Sequence, residues 1–114
     1  MHEVGILNQA LEMAIEAAER ENATRITRLH LQIGELAGVV PEAMAFAFDV
    51  VSLGTIAEGA AFEWDSVPVR CRCANGCLEF EPDSYIYACP ACGTVSSDLV
   101  AGRELHLIDI EIEQ

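Results

Sequence analysis

Residues 71–93 read Cys71-Arg-Cys73-Ala-Asn-Gly-Cys77-Leu-Glu-Phe-Glu-Pro-Asp-Ser-Tyr-Ile-Tyr-Ala-Cys89-Pro-Ala-Cys92-Gly93, and they hold all five cysteines of the chain. From Val69 to about Ser97, Gly, Asn, Pro, Asp and Ser displace the aliphatic periodicity of the flanking sequence, so something other than an apolar core must hold this segment. An odd number of cysteines, four of them in two close pairs, with no basic flank or cleavage site at the N-terminus to mark secretion, favours metal ligation over disulfides. Cys89-Pro-Ala-Cys92-Gly93 is a metal knuckle: proline fixes the entry, and glycine lets amide nitrogens turn toward sulfur. Zinc sites tolerate two to four residues between paired ligands, so Cys73 and Cys77 can close a tetrahedral four-cysteine site with Cys89 and Cys92. Cys71 and Cys73 would stand about 7 Å apart on one side of a strand. That is far for neighbouring corners of a zinc tetrahedron, so Cys71 is left outside. Rubredoxin-like iron fits the same four ligands, with the first pair a poorer match. Four thiolates leave no open position for water or substrate, and the expected role of the metal is to fold the insert.

Outward from the insert, the pattern becomes regular on both sides. From Glu3 to Asn22, Val4, Leu7, Leu11, Ala14 or Ile15 and Ala18 recur at steps of three and four, opposite Glu12, Glu16, Glu19 and Arg20, which predicts an amphipathic helix. Arg28 to Ile33 alternates, Leu29, Leu31 and Ile33 against Arg28, His30 and Gln32, as a half-buried strand does. A second helix is expected from Pro41, with glycine at position 54 just beyond its end. Phe62 to Val67 and Glu104 to Glu113 alternate again as strands. In the last of these Leu105 and Leu107 are out of phase with Ile108, Ile110 and Ile112, so a bulge or a change of buried face is expected. The predicted fold is α+β: a three-stranded antiparallel sheet with two helices on one face, plus an inserted zinc-ribbon-like domain. Residues 1–69 with 100–114 form the main domain and residues 70–99 the insert.

Composition narrows the function. The chain has 114 residues, enough for one domain with a small satellite, and a net charge of −13 from 19 acidic residues against six arginines. Phosphate contacts need clustered Lys and Arg, so no nucleic acid is expected as a partner, and anionic membranes are disfavoured for the same reason. No apolar run approaches the roughly 18 residues of a membrane span. The reading is a cytoplasmic protein whose charge concentrates cations or basic partners around it. No Gly-rich phosphate loop and no evident Cys-His pairing occur, and a filled four-cysteine site cannot activate water. The chain is therefore expected not to be an enzyme.

The start, Met1-His2-Glu3, supports two readings. A free terminus offers an amine, deprotonatable amides and the His2 imidazole, a nitrogen-rich planar set that suits Ni(II) or Cu(II) better than zinc. A start codon followed by a polar residue is the plainer account of these three residues alone. His30 and His106, each within an alternating strand, read as surface or hydrogen-bonded strand histidines. Glu35 near a strand end reads as a solvated carboxylate, with proximity to a terminal site as the alternative. Met13 and Met44 read as packing residues.

Taken together, Met1-His2-Glu3, Ile33-Gly34-Glu35, Ala45-Phe-Ala-Phe-Asp-Val-Val, Ala57-Glu-Gly, the cysteine pairs and the closing isoleucine and glutamate strand resemble the HypA/HybF family of hydrogenase nickel-incorporation accessory proteins over essentially the whole length. The resemblance implies a nickel metallochaperone in which Met1, His2 and Glu3 bind Ni(II) as transient cargo and Cys73, Cys77, Cys89 and Cys92 hold structural Zn(II). It also implies a maturation GTPase of the HypB type as partner and delivery to the large subunit of a [NiFe]-hydrogenase. The family usually has two residues inside the first cysteine pair, whereas Cys73 and Cys77 have three between them, which leaves the roles of Cys71, Cys73 and Cys77 to be decided. The alternative is a structural zinc-ribbon interaction module with no nickel function. Monomer and homodimer are both compatible with the sequence, because the last strand could lie at a sheet edge.

Overall fold

A computed structural model describes residues 2–82, 86–96 and 98–114, the side chain of His2 excepted. The elements are α1 (His2–Arg20), β1 (Arg25–Gly34), α2 (Pro41–Val51), β2 (Ala61–Val67), β3 (Arg70–Arg72), β4 (Glu79–Phe80), β5 (Asp98–Ala101) and β6 (Leu105–Glu113). They fall into two compact units, Met1–Gln32 with Val39–Asp65 and Leu105–Gln114, and Ile33–Gly38 with Ser66–Glu104.

In the first unit α1 follows the apolar period of its sequence and buries Leu7, Leu11, Ala14 and Ala18. Glu3 in its first turn and Arg20 in its last complement the helix dipole. It stops in a Schellman turn. Asn22 takes φ 56, its amide donates to Glu19 O, and the Ala23 amide donates back to Ala18 O. α2 begins with Pro41 at a position whose N–H would have no helical partner, and buries Met44 and Phe48. Phe48 packs against Phe62 of β2 with ring centroids 5.3 Å apart and the planes tilted by 35°, and Phe62 meets Trp64 at 6.0 Å. α1 packs on α2 and on β6.

The sheet runs β2-β1-β6. Its outer face is a ladder of charge centred on β1. Arg28 reaches Glu63 of β2 at 2.9 Å and Glu111 of β6 at 2.8 Å, and His30 reaches Asp65 at 2.8 Å and Asp109 at 3.3 Å. Leu29 and Leu31 point the other way and are buried, so both helices cover the opposite face. Partner numbers fall along β6 as they rise along β1, which is the antiparallel relation. They rise together along β2, so β2 returns parallel to β1, with α2 as the crossover such a connection requires. The expected change of phase in β6 is present: Leu105 and Leu107 are half-buried, Ile108 is exposed, and burial resumes at Ile110 and Ile112. The α+β class, the two helices and a three-stranded sheet are as the sequence predicts, but the sheet is mixed and not antiparallel throughout, because the chain between β1 and β2 crosses over through α2 where a hairpin would have reversed it.

In the second unit β3 pairs antiparallel with β4 and β5, which sets Cys71 opposite Phe80 and Leu99. The core here is small: Cys71, Cys73, Phe80 and Cys89, with Val69, Tyr87 and Leu99 packed against them. The turn after β1 belongs to this unit. Glu35 is tied into it, its carboxylate accepting the Val69 amide at 2.8 Å and its own amide donating to Val67 O at 2.9 Å. Gly34 lies against the backbone of Gly102, where a Cβ would stand 2.2 Å from the carbonyl oxygen. No helix among the described residues is long and apolar enough to cross a membrane.

Candidate metal centre

Two loops of related build bring four thiols together. In the first, the Cys73 amide donates to Leu78 O at 2.9 Å, the Gly76 amide donates back to Cys73 O at 3.0 Å, and the Asn75 amide points at Cys73 Sγ at 3.3 Å. In the second, the Cys89 amide donates to Thr94 O at 2.9 Å, the Gly93 amide to Cys89 O at 2.8 Å, and the Ala91 amide points at Cys89 Sγ at 3.4 Å. Gly76 and Gly93 take φ near 78 and 77, which a residue with a Cβ adopts only at a cost. In the second loop that glycine follows the second cysteine. In the first it precedes Cys77, which is how three intervening residues still return the chain to the cluster.

The ligand atoms of Cys73, Cys77, Cys89 and Cys92 lie within 4.8 Å of one another, Cys73 and Cys89 buried, Cys77 and Cys92 exposed. Cys73 and Cys92 sulfurs are 3.6 Å apart. A Zn–S bond of about 2.3 Å sets the corners of a tetrahedron about 3.8 Å apart, so this donor set fits zinc in number, chemistry and spacing. Cys71 is fully buried in the small core and is not part of the group. Burial, and then the carboxylate of Asp98, push its thiol up from the ordinary value.

Cys73, Cys77 and Cys92 crowd negative charge together. The hydroxyl and amide of Thr94, followed by the neighbouring Cys73, hold Cys92 down to about 6, and the amides of Cys77 and Asn75 lower Cys73. Cys77, beside Cys92 and Cys73, is pushed up to about 12, because a further negative charge there meets those already formed. A divalent metal removes that conflict, since the thiolate is the ligand form. Outside the sulfurs, Asn75 Nδ2 lies 3.7 Å from Cys92 Sγ and donates to Thr94 Oγ1 at 2.9 Å, tying one loop to the other. No local sequence pattern marks either Asn75 or Thr94 as part of the site. A side-chain amide between two cysteines is the nearest signal.

At the other candidate site, α1 begins at His2, so Glu3 is held in a helical turn. Met1 and the His2 side chain lie outside the described residues. His30 is placed by the charge ladder, between Asp65 and Asp109. Both carboxylates raise its pKa above the ordinary histidine value, Asp109 contributing most. His106 is exposed on β6, in a cleft with Ile6, Gln9, Ala10, Met13 and Leu105. Met44 is buried as expected, whereas Met13 is exposed at this cleft because α1 turns that side outward.

A helix-and-sheet unit followed by a ribbon built on four clustered cysteines defines a small metal-handling protein. Residues 1–112 match the family described as "Hydrogenase/urease nickel incorporation, metallochaperone, hypA". Similar proteins include the hydrogenase maturation factors HypA of Picosynechococcus sp., 44% identical over 98% of this chain and 99% of that one, and of Geobacter sulfurreducens, 42% identical over 99% of this chain and 100% of that one. Among solved structures, the solution structure of a HypA protein aligns with TM-score 0.72 at 22% identity, covering 98% of this chain and 96% of that one. The solution structure of the Ni metallochaperone HypA from Helicobacter pylori aligns with TM-score 0.67 at 21% identity, covering 97% of each chain. At those identities the structural matches speak to the fold alone. The chain belongs to the HypA family of nickel-incorporation metallochaperones.

Proposed function

We propose that this chain carries two metals with opposite lifetimes. Zn(II) stays in the cage of Cys73, Cys77, Cys89 and Cys92 and folds the ribbon. Ni(II) is cargo, held by the His2 imidazole and by main-chain nitrogens near Met1, His2 and Glu3. A planar nitrogen set on a terminus suits Ni(II) by geometry and is dismantled at little cost, whereas a closed thiolate cage has no open position through which to exchange. The protein works in the cytoplasm and catalyses no reaction itself. A maturation GTPase of the HypB type acts with it, and the large subunit of a [NiFe]-hydrogenase receives the nickel.

The observation that carries this reading is the family match that starts at residue 1 and includes both Met1-His2-Glu3 and the cysteine loops. The experiment is Ni(II) titration calorimetry on zinc-loaded protein with its native terminus, beside His2→Ala and a version with extra N-terminal residues. Loss of binding in both variants supports the terminal chelate. Retention in both removes nickel from the terminus and leaves the zinc-ribbon interaction module as the better account.

A further inference from the structure

The segment Ala45-Phe-Ala-Phe-Asp-Val-Val divides its apolar residues between two sides of α2. Met44 and Phe48 face inward, 0% and 1% exposed, while Phe46 is 77%, Val50 60% and Leu53, just past the helix end, 62% exposed. Near 100° per residue, Ala43, Phe46 and Val50 share one arc about 60° wide, opposite the buried side, and Leu53 follows in the turn just beyond the helix. Isolated exposed apolar residues are ordinary, but a contiguous apolar arc marks an interaction surface. Nothing in α2's own packing accounts for it.

Charge along this arc identifies what can cover it. Glu42 and Asp49 are exposed on its border, and neither has an ion-pair partner among the described residues. Two copies of this chain meeting arc to arc would bring those carboxylates together, each copy carrying a net charge of −13. A segment with apolar residues at helical spacing and Lys or Arg beside them satisfies both the arc and its border. Two helices packing side by side work in this way, with apolar residues at the seam giving affinity and flanking charge giving orientation and rate.

We propose that the outward arc of α2, Ala43, Phe46, Val50 and Leu53 with Glu42 and Asp49, is a docking surface for an amphipathic helix of a partner protein that carries basic residues beside its apolar stripe. None of these residues belongs to either metal site, so the surface stands or falls separately from the nickel reading.

The probe is an 18-residue synthetic helix with leucine at steps of three and four and lysine at its other positions, with a glutamate version as its counterpart. Each is titrated into the zinc-loaded full chain and followed through backbone amide chemical shifts. The lysine helix is expected to move amides 42–54 and to bind about tenfold more weakly to a Phe46→Ser/Leu53→Ser chain of unchanged circular dichroism. Glu42→Gln/Asp49→Asn should weaken it several-fold and flatten its dependence on salt. Three outcomes overturn the proposal: equal binding of the glutamate helix; shifts spread over the acidic surface and indifferent to the serine pair, which is charge alone; or concentration-dependent dimerisation through the same amides.

Discussion

His30 Nε2 lies 2.8 Å from Asp65 Oδ2, and Nδ1 of the same ring faces Asp109 Oδ2 at 3.3 Å, so one imidazole links all three strands of the sheet. The charged groups around it are Arg28 on its own strand, Glu63 and Asp65 on β2, and Asp109 and Glu111 on β6. Asp109 and then Asp65 raise its pKa on folding. A base whose pKa rises on folding adds stability that is complete below its unfolded value, about 6.5, and disappears as pH climbs through the raised folded value. Chemical denaturation of the zinc-loaded protein and of His30→Gln from about pH 6 to 9 should show the wild-type advantage shrinking upward. A difference constant across that range would mean that the ring acts only as a neutral hydrogen-bonding spacer.

Two glycines should respond in opposite directions to the same substitution. A Cβ on Gly34 would stand 2.2 Å from Gly102 O and 2.3 Å from its carbonyl carbon, both backbone atoms, so the chain itself must move. Gly5 lies within α1, and a Cβ there meets nothing within 4 Å. Gly34→Ala is expected to cost about 1–3 kcal/mol or more by overpacking, while Gly5→Ala should gain about 0.5–1 kcal/mol of helix stability. Urea midpoints of the two variants against wild type decide it. A Gly34→Ala chain with an unshifted midpoint would show that the turn after β1 relaxes freely.

The first unit could be read from sequence because its periods are long and consistent. Nineteen residues of α1 and nine of β6 repeat their apolar pattern often enough for period, and even the change of phase at Ile108, to be counted. Strand direction was harder. Alternation says which face is buried, not which way a neighbour runs, so the expected antiparallel sheet is wrong for β2, which the crossover through α2 returns parallel to β1. β3 and β4, with three and two residues, are too short for any period, so the ribbon was legible only through its cysteines. The cysteine spacing named the four that cluster, but Asn75 and Thr94 act through a contact between loops 19 residues apart in the chain, which no local pattern records.

Removing the metal should separate the two units. The second has little apolar core beyond Phe80, Val69, Tyr87 and Leu99, so on the zinc reading chelation removes what holds it. The first keeps its own core on α1, α2 and β1. After chelation, hydrogen exchange should accelerate across residues 70–101 while most of the far-ultraviolet helical signal survives. Loss of the helices as well would make zinc a support for the whole chain. Asn75→Ala tests the outer layer of the site. Groups that orient metal ligands are worth about 10–100-fold in affinity, and competition against a zinc indicator should show a weakening of that order. An unchanged affinity would reduce Asn75 to a bystander.

Phe46 and Phe48, two residues apart on α2, offer the clearest test that stability and surface chemistry are divided between the sides of one helix. Phe48 is 1% exposed and lies 5.3 Å from the ring of Phe62, whereas Phe46 is 77% exposed. Truncating a buried phenylalanine to alanine removes its transfer free energy and leaves a cavity, a loss of about 3–5 kcal/mol. Phe48→Ala should therefore lower the denaturation midpoint steeply and disturb the environment of Trp64, whose ring is 6.0 Å from Phe62, so that tryptophan fluorescence in the native state changes too. An exposed site away from packing changes stability by about 0.5 kcal/mol or less. Phe46→Ser should leave both the midpoint and the fluorescence where they are. If Phe46→Ser destabilised the chain as Phe48→Ala does, the outer arc would be packed in solution against some part of the protein itself, and its residues would belong to the core.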